Sequence, residues 1–237
     1  MTVRMQQKKI AYTFDYPVAV DAAEKQRSIF WTPDEIDVEK DIQDLKVNLT
    51  EAEAHGVITT LKLFTLTELV AGNEYWGRRV MRMFPRPDIN MMANAFSFFE
   101  LNVHAPFYNA INEALMINTD EFYLSYLDNP ILADRMEFIE DAVTSKDDLL
   151  SLAVFSMVEG VSLYSAFGFL LHFQAKGKNK IKNICSGIKF SVRDENLHSE
   201  GGAWLFKTLL AEKSEAGEVN TEELASLMRA ITTASEQ

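Results

Sequence analysis

Four helix-forming segments of this chain, three of them strongly apolar, each carry a carboxylate where a core residue is expected. Glu68 lies in LFTLTELVAG, Glu100 in FSFFELNVHAPFY, Glu159 in VFSMVEGVSLY and Glu195 in VRDENLHSE; His104 accompanies Glu100 and His198 accompanies Glu195. Removing an ion from water is costly unless a partner charge or a metal compensates. Four such acids therefore call for a common partner, which constrains the segments to converge with their acid-bearing faces turned inward.

The segments read as helices. Six prolines and ten glycines fall mostly between stretches of helical periodicity, and the chain reads as all-α. Residues 1–30, with Tyr12, Phe14, Tyr16 and Pro17, are expected to be extended and irregular. TPDE at 32–35 is a capping box with Pro33 at the first helical position and predicts a short helix to about residue 47. TEAE at 50–53 opens a long helix to about Met83, and Asp88 is placed as the cap of the next one. Shorter helices are expected near 120–128 and 131–143. A long one starts at Ser145 and runs to about Lys176, and another covers about 180–212. A last helix opens at Thr221 and is still helical in character at Gln237. Four helices well above the usual length of about 11–12 residues suggest a bundle, expected to form one domain over residues 1–237.

Composition excludes some partners. A net charge of -12, with KGKNKIK at 176–182 as the sole basic cluster, argues against nucleic acid. The single Cys185 excludes an intrachain disulfide framework and fits a reducing cytoplasm. The most apolar run, VSLYSAFGFLLHF, is shorter than a membrane span and contains polar groups, so no membrane association is expected.

Residues three or four apart share a helix face, so Glu195 with His198, and Glu100 with His104, can each present an oxygen and a nitrogen to one point. With Glu68 and Glu159 they make the ligand inventory of a dinuclear carboxylate site in a bundle core. Such ligands suit iron or manganese better than zinc. Glu74, Glu113, Glu137, Glu140 and Asp141 have polar neighbours and read as solvated faces; His55 and His172 lack a carboxylate at ligand spacing and read as structural.

The chain resembles the radical-generating (R2-type) small subunit of class I ribonucleotide reductase. FWTPDEIDVEKD at 30–41 looks like that family's Trp-containing entry segment, LTEAEAHGVITTLKLFTLTE at 49–68 like its first ligand helix, FFELNVHAPFY like its Glu, His and radical-Tyr helix, and VRDENLHSE like its Asp-Glu-x-x-His helix. The resemblance covers roughly residues 28–205. It implies a ferritin-like fold in which Glu68, Glu100 and His104 serve one metal and Glu159, Glu195 and His198 the other, with Glu100 and Glu195 able to bridge. Glu68 stands where many members have Asp. The pair would be Fe/Fe, Mn/Fe or Mn/Mn. Tyr108 would become the radical, Phe167 would belong to its apolar wall, and Trp31, Asp194 and His104 would form a relay to the surface. The implied partners are a large catalytic subunit and a second copy of the chain, and the implied reaction reduces ribonucleotides to deoxyribonucleotides.

Two features depart from the family pattern. The usual Glu-x-x-His becomes ELNVH, one residue longer, which would turn the ligand directions by about 100° in a regular helix. Pro106 lacks an N–H, so a π-bulge over 101–106 is expected to absorb the extra residue. In addition, only 39 residues follow His198 and no tyrosine follows Tyr164, so the C-terminal helices and radical-transfer tail of the family are expected to be missing or supplied by another chain. The alternatives are a dimetal oxidase or monooxygenase acting on a small molecule with the same ligands, and a metal-storage or helical interaction protein.

Overall fold

The computed structural model describes residues 3–235, and among them helices occur without any strand. The expected capping box at Thr50 is present: its hydroxyl accepts from Glu53 N–H, the Glu53 carboxylate accepts from Thr50 N–H, and α2 (Glu51–Leu69) follows. That helix continues through a π-helical segment, Val70–Val80, into the short α3 (Met81–Met83). The second long rod is α4 (Pro87–Phe99), a π turn at Glu100–His104, and α5 (Ala105–Ala114). After α6 (Asp120–Leu124) and α7 (Pro130–Thr144), the third rod is α8 (Asp148–Met157), a π turn at Val158–Ser162, and α9 (Leu163–Leu171). The fourth is one unbroken helix, α10 (Lys182–Ala216), and α11 (Thr221–Ser235) packs back against α8.

Several boundaries differ from expectation. The N-terminal segment is not irregular throughout: α1 (Pro17–Ser28) starts on Pro17 and lies along α4. Its mean polarity concealed it, because the buried stripe consists only of Ala19, Ala23 and Gln26. The predicted helix to residue 47 is instead a series of tight turns, Pro33–Glu35, Val38–Asp41 and a π turn Asp44–Asn48. Asp88 lies inside the first turn of α4 rather than before it, and its carboxylate accepts from the N–H groups of Asp15, Tyr16 and Ile89. Asp147, not Ser145, caps α8, accepting from Leu149 and Leu150 N–H. The helix at Thr221 is present, and the expectation at Gln237 lies outside the described residues.

The core is split into two apolar clusters, and every long rod crosses from one to the other at its acid. Along α2, Val57, Leu61 and Phe64 lie in one cluster and Ala71, Tyr75 and Trp76 in the other, with Glu68 between. On α10, Ile184 and Ile188 precede Glu195 and His198, and Leu205 and Leu209 follow in the opposite cluster. The α4–α5 and α8–α9 rods make the same crossing in the reverse direction, so they run antiparallel to α2 and α10. The run Asp148–Gln174 is long and apolar enough to cross a membrane by length and composition; 39% of its most apolar window is buried here, and it carries Glu159 into the middle of the bundle.

Close approach of α10 depends on small residues. A Cβ at Gly187 would stand 2.2 Å from the tip of the Phe107 ring, itself wedged between Trp31 and Tyr108. Gly187→Ala should therefore cost about 1–3 kcal/mol through overpacking, read as a lowered urea midpoint with an unchanged slope. A stability equal to the parent would show that the helices are not packed at this distance.

Candidate metal centre

Glu100–His104 is a π turn closed by Ala105 N–H on the Glu100 carbonyl, and Pro106 follows at once. A bond from residue i to i+5 encloses one more residue than an α turn, so the fourth residue falls where the third would in an α-helix. His104 Nδ1 accordingly lies 2.8 Å from Glu100 Oε2. Two further π segments on the ligand-bearing rods had no signal in the sequence. One, Val158–Ser162, carries Glu159; the other, Val70–Val80, begins two residues after Glu68. Neither has a nearby Glu/His pair against which an extra residue could be counted.

The structure brings the six predicted ligands together in two overlapping sets. Donor atoms of Glu68, Glu100, His104 and Glu195 lie within 4.8 Å of one another, as do those of Glu100, Glu159, Glu195 and His198. Glu100 and Glu195 belong to both sets, and all six side chains are buried. His104 Nδ1 is 2.9 Å from Glu195 Oε1; His198 Nδ1 is 2.6 Å from Glu100 Oε1 and 3.3 Å from Glu195 Oε2. Proximity here is not hydrogen bonding. Glu100 Oε1, His198 Nδ1, both Glu195 oxygens and both Glu68 oxygens have no aligned partner. Buried lone pairs left close together but out of line share a space that a cation would fill. The donor set of carboxylates and imidazoles fits two iron or manganese ions.

Electrostatics point the same way. Burial, reinforced by the charges of Glu100 and Glu195, raises the carboxyl groups of Glu68 and Glu159 well above the usual range. For Glu195 burial also favours the neutral acid, but the two histidines outweigh it and hold the group below the ordinary value. Burial opposes charging His198, yet Glu100 and Glu195 bring it up to about 9, and His104 is likewise raised, with Asp194 contributing. Protons thus moderate the negative charge of the cluster, and cations binding the same atoms displace them.

Around this layer lie groups of both expected and unexpected identity. Trp31 Nε1 donates to Asp194 Oδ2 at 2.7 Å, and the same oxygen is 3.1 Å from His104 Nε2. Tyr108 is fully buried one turn beyond His104; its hydroxyl has no aligned partner, and burial followed by the Glu68 charge raises its pKa well above the usual value. Its ring packs on Phe64 at 5.0 Å, and Phe167 packs on Phe64 rather than forming the nearest wall itself. Sequence reasoning passed over Phe64, Trp76, whose Nε1 donates to Glu159 Oε1 at 3.0 Å, and Gln26. Trp76 comes eight residues after Glu68, a spacing visible only once the π segment is known. His55 and His172 are exposed and away from the cluster, as are Glu74, Glu113, Glu137, Glu140 and Asp141.

Titration of the metal-free protein with manganese(II) should saturate at two ions per chain and release protons into a weakly buffered solution. Because the raised groups are neutral where an ordinary glutamate is ionised, apparent affinity should fall as pH falls. Glu195→Ala should abolish binding of both ions, and Glu68→Ala should spare one; equal stoichiometry in both variants would contradict the shared-ligand arrangement.

Comparison with known proteins agrees with this geometry. The family described as "Ribonucleotide reductase, small chain" matches residues 9–236. The ribonucleoside-diphosphate reductase subunit beta of Halalkalibacterium halodurans is 27% identical over 209 residues, covering 84% of this chain and 58% of that protein. The first relatives matched are likewise longer, and the chain spans 57–59% of their length. Among solved structures, the dimanganese(II)-NrdF of Streptococcus sanguinis superposes with a TM-score of 0.79 at 22% identity, covering 96% of this chain and 77% of that one. A structure from Bacillus halodurans, described as a "putative class I ribonucleotide reductase", gives 0.80 at 23% identity, covering 93% and 79%. The fold is thus the ferritin-like helical bundle, and with the family pattern running from residue 9 to residue 236 the chain belongs to the ribonucleotide reductase small-chain family.

Proposed function

We propose that this chain is the radical-generating subunit of a ribonucleotide reductase, a single R2-type domain acting in the cytoplasm as a homodimer with a large catalytic subunit. The observation that carries the reading is the pair of overlapping donor sets sharing Glu100 and Glu195, with a buried tyrosine one turn from His104. Glu68, Glu100 and His104 would hold one ion and Glu159, Glu195 and His198 the other, with Glu100 and Glu195 bridging. When bound, the iron or manganese pair supplies the one-electron oxidation of Tyr108 at the expense of dioxygen. The name of the Streptococcus sanguinis relative speaks for manganese in that protein; here the donor set accepts iron, manganese or one of each.

The residues of the chain have distinct tasks in this scheme. Burial keeps the Tyr108 phenol protonated, so its oxidation must be accompanied by loss of the hydroxyl proton. Phe64 and Phe107 cover the ring and exclude water, which protects an unpaired electron from quenching. Trp31, Asp194 and His104 form a hydrogen-bonded line between the ligands and the outer layer. Trp31 then meets Phe190, whose ring lies under the half-exposed Arg193 guanidinium, so the line approaches the surface through aromatic contacts. The large subunit would supply the substrate site, consistent with the acidic charge of this chain.

Reduced protein loaded with iron or manganese and exposed to oxygen should give a tyrosyl EPR signal that Tyr108→Phe abolishes. Trp31→Phe should retain the signal and lose ribonucleotide reduction when mixed with a large subunit. Two-metal loading with no radical in the parent protein would turn the assignment towards a dimetal oxidase.

A further inference from the structure

Gln26 is fully buried on α1, and its amide touches both halves of the centre. Its Oε1 lies 3.1 Å from His198 Nε2, and its Nε2 donates to Asp194 Oδ1 at 3.2 Å. The other Asp194 oxygen accepts from Trp31 and faces His104 Nε2. A primary amide has one accepting end and one donating end, whereas an ionised carboxylate only accepts. Asp194 must therefore receive the Gln26 N–H, which leaves Oε1 for His198 and requires the proton on His198 Nε2. By the same rule His104 Nε2 donates to Asp194. Both Nδ1 atoms, which lie against Glu100 and Glu195, are then the lone pairs presented to metals.

We propose that Gln26 is a positioning residue that fixes both ligand histidines at once, His198 directly and His104 through Asp194, so that docking of α1 completes the centre. The helix is built to dock. Its leading residues are held by Asp88, which accepts from Asp15 and Tyr16 N–H at 2.8 and 3.0 Å, by the Arg86–Asp15 ion pair, and by the Tyr16 hydroxyl on Glu212 of α10. A residue from outside the four long rods thereby orients ligands on two of them. The proposal rests on reading the cluster as a two-metal site.

Cobalt(II) serves as the test ion, because a coordinated imidazole gives a strongly shifted N–H proton resonance whose exchange with solvent reports its hydrogen bond. The parent protein should bind two ions and show two slowly exchanging imidazole N–H resonances. Gln26→Leu should lose the His198 resonance to exchange and bind the second ion about 10–100-fold more weakly. Gln26→Glu still accepts from His198 but cannot donate to Asp194, so it should keep the His198 resonance while the His104 resonance exchanges faster, and it carries the test if the leucine variant does not fold. Unchanged resonances and affinities in Gln26→Leu, or loss of the His198 resonance in Gln26→Glu, would overturn the assignment. Failure of the parent protein to bind two ions would remove the two-metal reading itself, and this proposal with it.

Discussion

The dominant constraint on this molecule is the layer of buried carboxylates at mid-height in the bundle. Glu68, Glu100, Glu159 and Glu195 are out of water together, an arrangement that mutual repulsion and desolvation would forbid without compensating charge. His104, His198 and shared protons supply part of it, and two divalent cations would supply the rest. The apolar clusters above and below give the layer its low-dielectric walls and hold the rods in register. The fold therefore stabilises the site through packing, while the site asks the fold for four helices of matched height.

Helical irregularity is how the rods meet that demand. Three of the four depart from α geometry at or just beyond a ligand, while α10 presents Glu195 and His198 from a regular helix. A π turn re-aims a side chain without interrupting the rod, at the cost of local hydrogen-bond geometry that a tightly packed bundle can support. The same economy applies to the surroundings: Gln26 comes from α1, Trp31 from the connection that follows it and Trp76 from the π segment after α2, and each contacts a ligand or a residue bonded to one.

How far these features were legible depended on whether they are local. Capping boxes, helix periodicity and the Glu/His spacings are properties of a few consecutive residues, and they located the bundle and the six converging side chains. The extra residue in ELNVH was visible because a histidine stood nearby to reveal it; the π segments after Glu68 and around Glu159 had no such reference. Helix α1 was hidden by its polarity, since its buried face is two alanines and a glutamine.

The sequence by itself determined that the chain is all-α and that its acids and histidines must share a buried partner, because burying charge is costly and helix spacing fixes which residues share a face. Tertiary structure alone decided which outer residues meet them. Gln26 and Asp194 are 168 residues apart, and Trp76 and Glu159 are 83 apart. No local propensity can predict such a hydrogen bond, because it exists only once separate helices have packed and left a buried polar atom in need of a partner.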